Sequence, residues 1–146
     1  MSIKNCKLGR NVKIPHPDLV NLYGCEIGSG SFIGPFVEIT RGVIIGKNCR
    51  IQSHSFICGG VIIGNDVFIG HGVTFTNDKF PKVNNKDWKM EKTLVGNNTS
   101  IGSNATILPV RIGKNVLIGA GTVVTKDVAD DTIIYNNLGK MEKPHG

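Results

Sequence analysis

From Ile27 onward a large apolar side chain returns at every sixth position: Ile27, Ile33, Ile39, Ile45, Ile51, Ile57, Ile63, Ile69 and Phe75. A helix repeats its face about every 3.6 residues and a strand every two, so neither alone explains a period of six. Four residues after each of the first eight anchors stand Ser31, Val37, Val43, Cys49, Ser55, Val61, Val67 and Val73. These are small or β-branched side chains, suited to a strand packed into a narrow interior. Three residues after each anchor come Gly30, Phe36, Gly42, Asn48, His54, Gly60, Asp66, Gly72 and Asp78. All but Phe36 are residue types that tolerate positive φ. Each hexad therefore predicts a short strand followed by a turn through the left-handed region.

One such unit cannot bury its own anchor, so units must stack. Three strands closing a triangular coil predict three columns: Ile27, Ile45 and Ile63; Ile33, Ile51 and Ile69; Ile39, Ile57 and Phe75. Successive coils would lie about 4.8 Å apart, as in any sheet. The expected fold is an all-β parallel β-helix with three faces, forming a single domain over residues 1–146.

The phase breaks after Phe75 and resumes at Val95, Ile101 and Ile107, then at Ile112, Ile118 and Val124. Twenty residues separate Phe75 from Val95 where six would do, which leaves 14 to loop out over about 76–94. That segment holds Trp88 and five lysines, and a polar loop expelled from mid-stack points to a binding face. The step from Ile107 to Ile112 is one residue short, which predicts a tighter turn at Pro109. At the front, "VKIPHPDLVNLYGCEIG" departs from the hexad and is expected to cap the first coil or form a ligand lip. At the back, residues 129–146 are expected to leave the repeat and cap the last coil, since an open end is an unpaired edge.

Composition narrows the chemistry. Hydrophobic residues make up 40% of the chain and aromatics 6%, so the core is aliphatic. The net charge of +6 suits anionic partners such as phosphates. The basic residues are scattered rather than gathered with stacking aromatics, which argues against nucleic acid. No leader-like or membrane-spanning apolar run is present, so no membrane insertion and a cytoplasmic location are expected. Cys6, Cys25, Cys49 and Cys58 form no CxxC pair and are expected as free thiols.

The hexads "IGSGSF", "IGKNCR", "IGNDVF", "IGSNAT", "IGKNVL" and "IGAGTV" resemble those of the hexapeptide-repeat acyltransferases, over about residues 8–128. The resemblance implies a left-handed coil. More narrowly, "GPFVEI", "IQSHSFI", "GHGVTFTND", "IGSNATILP" and "GAGTVVTKDV" look like nucleotide-sugar N-acetyltransferases of surface-glycan (lipopolysaccharide) biosynthesis. In that group acetyl-CoA acetylates the amine of a UDP- or dTDP-linked amino-deoxysugar, and the nearest look-alikes act on a 3-amino sugar. The group is homotrimeric, with active sites in the clefts between subunits. Two positions depart from its pattern: Gly59 stands where an acidic residue is common, and "LPVRIG" lacks the usual glycine after the proline.

Amide formation needs a neutral amine held against the thioester, a donor for the oxyanion and a route out for a proton. On the triangular map Asn77 lies over Gly59 and Arg41, and Asp78 over Gly60 and Gly42, so open space is expected beneath the pair. Asn77 can accept from or donate to the amine, and Asp78 can accept a hydrogen bond from it or take its proton. The resemblance assigns the pair to the sugar-amine site, and an Asn-Asp pair is equally an ordinary loop opener. His54 is expected between Phe36 and Gly72, and His71 over Ser53 and Pro35. Either histidine is a candidate general base; contact with the sugar or nucleotide through Gln52 and His54 is the other reading. The resemblance adds Phe36 and Glu38 to the substrate-binding residues. For acetyl-CoA, Gly102, Ser103, Gly119 and Ala120 match a groove for the pantetheine arm, and Lys126 could meet a phosphate as a point charge.

Three other functions compete. A zinc enzyme on this coil needs three histidines, two of them close together; His16, His54, His71 and His145 offer no close pair, so no metal is expected. A non-catalytic scaffold would not need an expelled loop beside glycines. An O-acetyltransferase acting on a sugar or serine hydroxyl is the nearest enzymatic rival.

Overall fold

The computed structural model describes residues 1–136. Nineteen short strands wind into a three-faced parallel coil. The first face carries seven strands: Ile3–Lys4, Asn21–Tyr23, Glu38–Ile39, Phe56–Ile57, Thr74–Phe75, Thr106–Ile107 and Val123–Val124. The second carries Lys7–Leu8, Glu26–Ile27, Ile44–Ile45, Val61–Ile63, Thr93–Val95 and Arg111–Ile112. The third carries Phe32–Ile33, Arg50–Ile51, Phe68–Ile69, Ser100–Ile101, Leu117–Ile118 and Ile133–Ile134. The one helical element among the described residues is a single 3-10 turn, Pro17–Leu19. Among the described residues no helix is long and apolar enough to cross a membrane.

The hexad phase sets the register. Ile27 pairs with Ile45 and Ile45 with Ile63; Ile33 pairs with Ile51 and Ile51 with Ile69. Ile39 pairs with Ile57, and the Phe75 strand lies on the Ile57 strand. All nine anchors are 2% exposed or less. Their neighbours on the strands point outward, as the period of two within each strand requires. The small residues of the second column also link the coils. Ser31 Oγ donates to Gly46 O, Ser55 Oγ to Gly70 O and Thr99 Oγ1 to Gly113 O, at 2.8–2.9 Å.

The turn column behaves as its composition predicts, with two exceptions. Gly30, Gly42, Asn48, His54, Gly60, Asp66 and Gly72 all have φ between 55° and 95°. Phe36 also has φ of 61°, although a bulky side chain disfavours it. Its ring stacks on that of His54 with centroids 4.9 Å apart, which offsets part of the strain. Asp78, by contrast, is absent from the positive-φ residues, because the chain leaves the coil at that point. The glycines that follow five of the nine anchors have a different task. A Cβ on Gly28 would lie 2.6 Å from the Gly46 carbonyl, so the close approach of successive coils excludes a side chain there.

The coil reaches further at both ends than the hexads indicate. Ile3 pairs with Leu22 and Leu8 with Ile27, so the front segment forms a rung of its own. Its irregularity is local: eight residues rather than six separate Ile14 from Leu22, and the 3-10 turn takes up the excess. At the back, Val128 bridges to Ile112 and Ile134 pairs with Ile118, so residues 129–136 continue the repeat instead of capping it. The remainder of that proposed cap, with His145, lies outside the described residues.

Apart from the eight-residue step before Leu22, variation in length gathers at one corner, between the first and second faces. Ile3 to Leu8, Leu22 to Ile27 and Ile107 to Ile112 are five-residue steps there, and the long loop leaves from the same corner. The tight turn at Pro109 is thus one of four short passages there, since Val124 to Val128 takes only four residues. Inside this corner the Cys6 and Cys25 sulfurs approach to 3.4 Å as free thiols. Burial, reinforced by the Cys6 thiol, pushes Cys25 up to about 12 from an ordinary 9.0. The folded state therefore favours the protonated thiol. Stability from this source is fully present below pH 9 and should be lost as pH climbs toward 12, because only the unfolded chain ionises readily. Denaturant midpoints of wild type and Cys25→Val from pH 8 to 11 should diverge, with the variant losing less. Parallel curves would exclude the thiol as a cause.

Candidate active site

The loop is tied down at both limbs. Thr76 still donates to Ile107 O at 2.9 Å, and Glu91 N donates to Asn77 O at 3.1 Å. Lys79 pairs with Glu91 at 3.7 Å. Asn77 Nδ2 donates to Gly59 O at 3.0 Å, which leaves its Oδ1 and second N–H free of protein partners. Asp78 Oδ1 accepts from Phe80 N at 2.9 Å, a side-chain turn that starts the loop. Asn77 and Asp78 therefore both open the loop and present polar atoms beside it.

The expected open floor beneath this pair is filled. A Cβ on Gly59 or Gly60 would meet the Met90 side chain at 3.3 Å, so the returning limb of the loop covers both glycines. Gly42, one coil below Gly60, does face open space. The cavity lies instead on the outer surface of the first face, with a volume of about 550 Å³. Tyr23, Thr40, Arg41, Phe56, Cys58, Thr74 and Thr76 line it from successive coils, and Asn77, Asp78 and Pro81 from the loop. Burial pushes the Cys58 thiol up, so it serves as neutral wall. Tyr23, Thr40, Phe56 and Thr74 carry no motif in the sequence. Outward positions on the first face are the signal that could have found them.

The other candidates occupy the opposite edge of the first face, where the third face turns into it. His71 Nδ1 and Ser53 Oγ share a hydrogen bond of 2.8 Å. Ser53, His71, Ser103 and Ala120 follow one another up this corner in the parallel register, as do Gln52, Gly70, Gly102 and Gly119. Phe36 and His54 stack one position further round. Both histidines are exposed. The histidines, Gln52 and the four small residues proposed for acetyl-CoA thus form one continuous stripe. Gly121, next in that corner, has φ of 70° and open space at its Cβ position.

Two residues stand apart from both groups. Glu38 lies on the first face between Asn21 and Phe56 and accepts from Asn21 Nδ2. Lys126 is exposed at the corner that bears Asn77, because Val124 pairs with Ile107 and the chain then turns toward the second face. It does not extend the Gly102–Ala120 stripe. Among the described residues no three His, Cys, Asp or Glu side chains cluster as metal ligands.

The sequence pattern described as "Bacterial transferase hexapeptide (six repeats)" matches residues 24–59 and 42–77, and "Hexapeptide repeat of succinyl-transferase" matches 92–126. The bifunctional protein GlmU of Streptococcus uberis is 38% identical over 121 residues, 82% of this chain and 24% of that protein. GlmU of Thermodesulfovibrio yellowstonii is 35% identical over 90% of this chain and 31% of its own length. The chain thus spans less than a third of either relative. Among solved structures, a variant of the N-acyltransferase AntD from Bacillus cereus, in complex with dTDP and coenzyme A, superposes with a TM-score of 0.78. It is 21% identical, over 90% of this chain and 79% of that one. The acetyltransferase domain of PglB from Neisseria gonorrhoeae, in complex with acetyl coenzyme A, gives 0.72 at 18% identity, over 86% of this chain and 54% of that one. At these identities the two structures establish a shared fold.

Proposed function

The chain belongs to the hexapeptide-repeat family of bacterial transferases, and from that premise we propose that it moves an acetyl group from acetyl-CoA to an amino-deoxysugar. The acceptor is the amine of a UDP- or dTDP-linked sugar, a 3-amino sugar in the first instance, destined for surface glycan. The observation that carries this reading is the expelled loop, which sets Asn77 and Asp78 on the rim of a sugar-sized cavity. A site of several hundred Å³ with few polar groups on its rim is typical for small ligands.

In the reaction the amine nitrogen bonds to the acetyl carbon, the thioester C–S bond breaks to release coenzyme A, and the proton the amine gives up ends on the departing thiolate. Asn77 Oδ1 accepts an N–H of the amine and so aims its lone pair. Asp78, or His71 with Ser53 on its Nδ1, receives the proton. Gly102, Ser103, Gly119 and Ala120 line the pantetheine path. These groups lie on opposite edges of one face, which favours sites shared between chains. A homotrimer would let the Asn77 edge of one copy meet the histidine edge of the next.

Acetyl-CoA turnover against UDP- and dTDP-aminosugars, with matched hydroxyl acceptors, tests the reading. Amine acceptors should be acetylated; turnover confined to hydroxyl acceptors would make this an O-acetyltransferase. Sedimentation should give a trimer, and an active monomer would remove the shared site. Asp78→Asn keeps an acceptor for Phe80 N, so thermal stability should be unchanged. If Asp78 takes the proton, turnover should fall most at low pH, where the amine is protonated. An equal loss at every pH would leave Asp78 a positioning role.

A further inference from the structure

The cavity beside the loop is lined by two opposite charges at different levels of the coil. Asp78 leaves from the coil of Phe75, and Arg41 stands on the coil of Ile39, two levels below; both line the cavity. Asn77, Gly59 and Arg41 occupy successive coils, so about 10 Å separates the levels of Asn77 and Arg41. The Arg41 stem is laid down by its neighbour: a Cβ on Gly24, whose φ is 63°, would meet Arg41 Cγ at 2.9 Å. Only glycine at that point lets the arginine lie across the coil below, beside Tyr23. The two ion pairs among the described residues join Lys7 to Glu26 and Lys79 to Glu91, and Arg41 takes part in neither. Its guanidinium is a planar fork suited to two phosphate oxygens at once.

We propose that Arg41 holds the diphosphate of the acceptor, while the sugar lies over Phe56 with its amine at Asn77 and Asp78. This rests on the aminosugar reading above and adds the group that selects a nucleotide-linked sugar over a free one. A ligand with a cationic amine at one end and an anionic diphosphate further along matches the cavity's two poles. The aromatic lining takes the apolar face of a sugar ring. Selection works through attraction and geometry: a diphosphate makes charge-assisted bonds to the exposed Arg41 fork, which a free sugar cannot make.

The test titrates UDP, dTDP and uridine into wild type, Arg41→Ala and Arg41→Lys at low salt, with acetyl-CoA as a control ligand. Arg41→Ala should weaken UDP or dTDP binding at least about tenfold, as loss of a charged hydrogen-bonding pair does. Arg41→Lys should recover part of that loss, because it restores the charge but not the fork. Uridine should bind all three proteins alike, and acetyl-CoA affinity should not change. Equal UDP and dTDP affinity in wild type and Arg41→Ala would overturn the proposal, as would no binding of either by wild type. The parent reading fails separately. If Arg41 governs UDP binding but no aminosugar is acetylated, the transferase assignment falls and the diphosphate site stands. If aminosugars are acetylated with an unchanged KM in Arg41→Ala, the reverse holds.

Discussion

Ile51→Asp is expected to yield no soluble folded protein. Ile51 is fully buried and pairs with Ile33 below and Ile69 above. A carboxylate there would stand inside an aliphatic column with no cation or donor to meet it. The cost is several kcal/mol or more, against a total stability of about 5–15 kcal/mol for an ordinary domain. Ile44→Asp is the matched control. Ile44 precedes an anchor on its strand and is 41% exposed, so the same charge there should leave a folded protein. Soluble expression and circular dichroism of the pair read the contrast directly. A folded Ile51→Asp would mean that the hexad anchors do not form the core.

Asn77→Ala should lower turnover on the best aminosugar by about a hundredfold or more, the usual effect of losing one positioned hydrogen bond at a reacting group. The variant also loses the bond from Nδ2 to Gly59 O, so a loosened loop could mimic a chemical effect. Two readouts separate them. Acetyl-CoA affinity should be unchanged, since Gly102, Ser103, Gly119 and Ala120 lie across the first face from the loop. Proteolysis of the loop should rise only modestly, because Glu91 N to Asn77 O and the Lys79–Glu91 pair do not involve the Asn77 side chain. Wild-type turnover in Asn77→Ala would make the pair a loop opener alone. The catalytic assignment would then move to the Ser53–His71 corner.

Much of the candidate site could be located from the chain before its walls could. The stacking of His71 on Ser53 followed from phase alone and emerges as a 2.8 Å hydrogen bond. The position of Asn77 over Gly59 followed in the same way and emerges as a 3.0 Å one. The filling of the glycine floor did not, because Met90 is distant in sequence and returns through a loop with no period. Nor did the separation of Lys126 from the acetyl-CoA stripe, which depends on which corner the chain is turning when it reaches that residue.

The order of residues is enough to specify the coil, its columns, the inward set of side chains and the point where the loop leaves. It could do so because each depends on a local period: six residues per strand and turn, repeated until the columns align. Tertiary structure alone decided what the outer surface of the first face carries. Tyr23, Phe56 and Arg41 come together there from three coils under a loop that begins with Asn77 and Asp78. Outward positions are under no packing constraint that a repeat would record. A cavity built from them becomes visible only when coils far apart in the chain lie side by side.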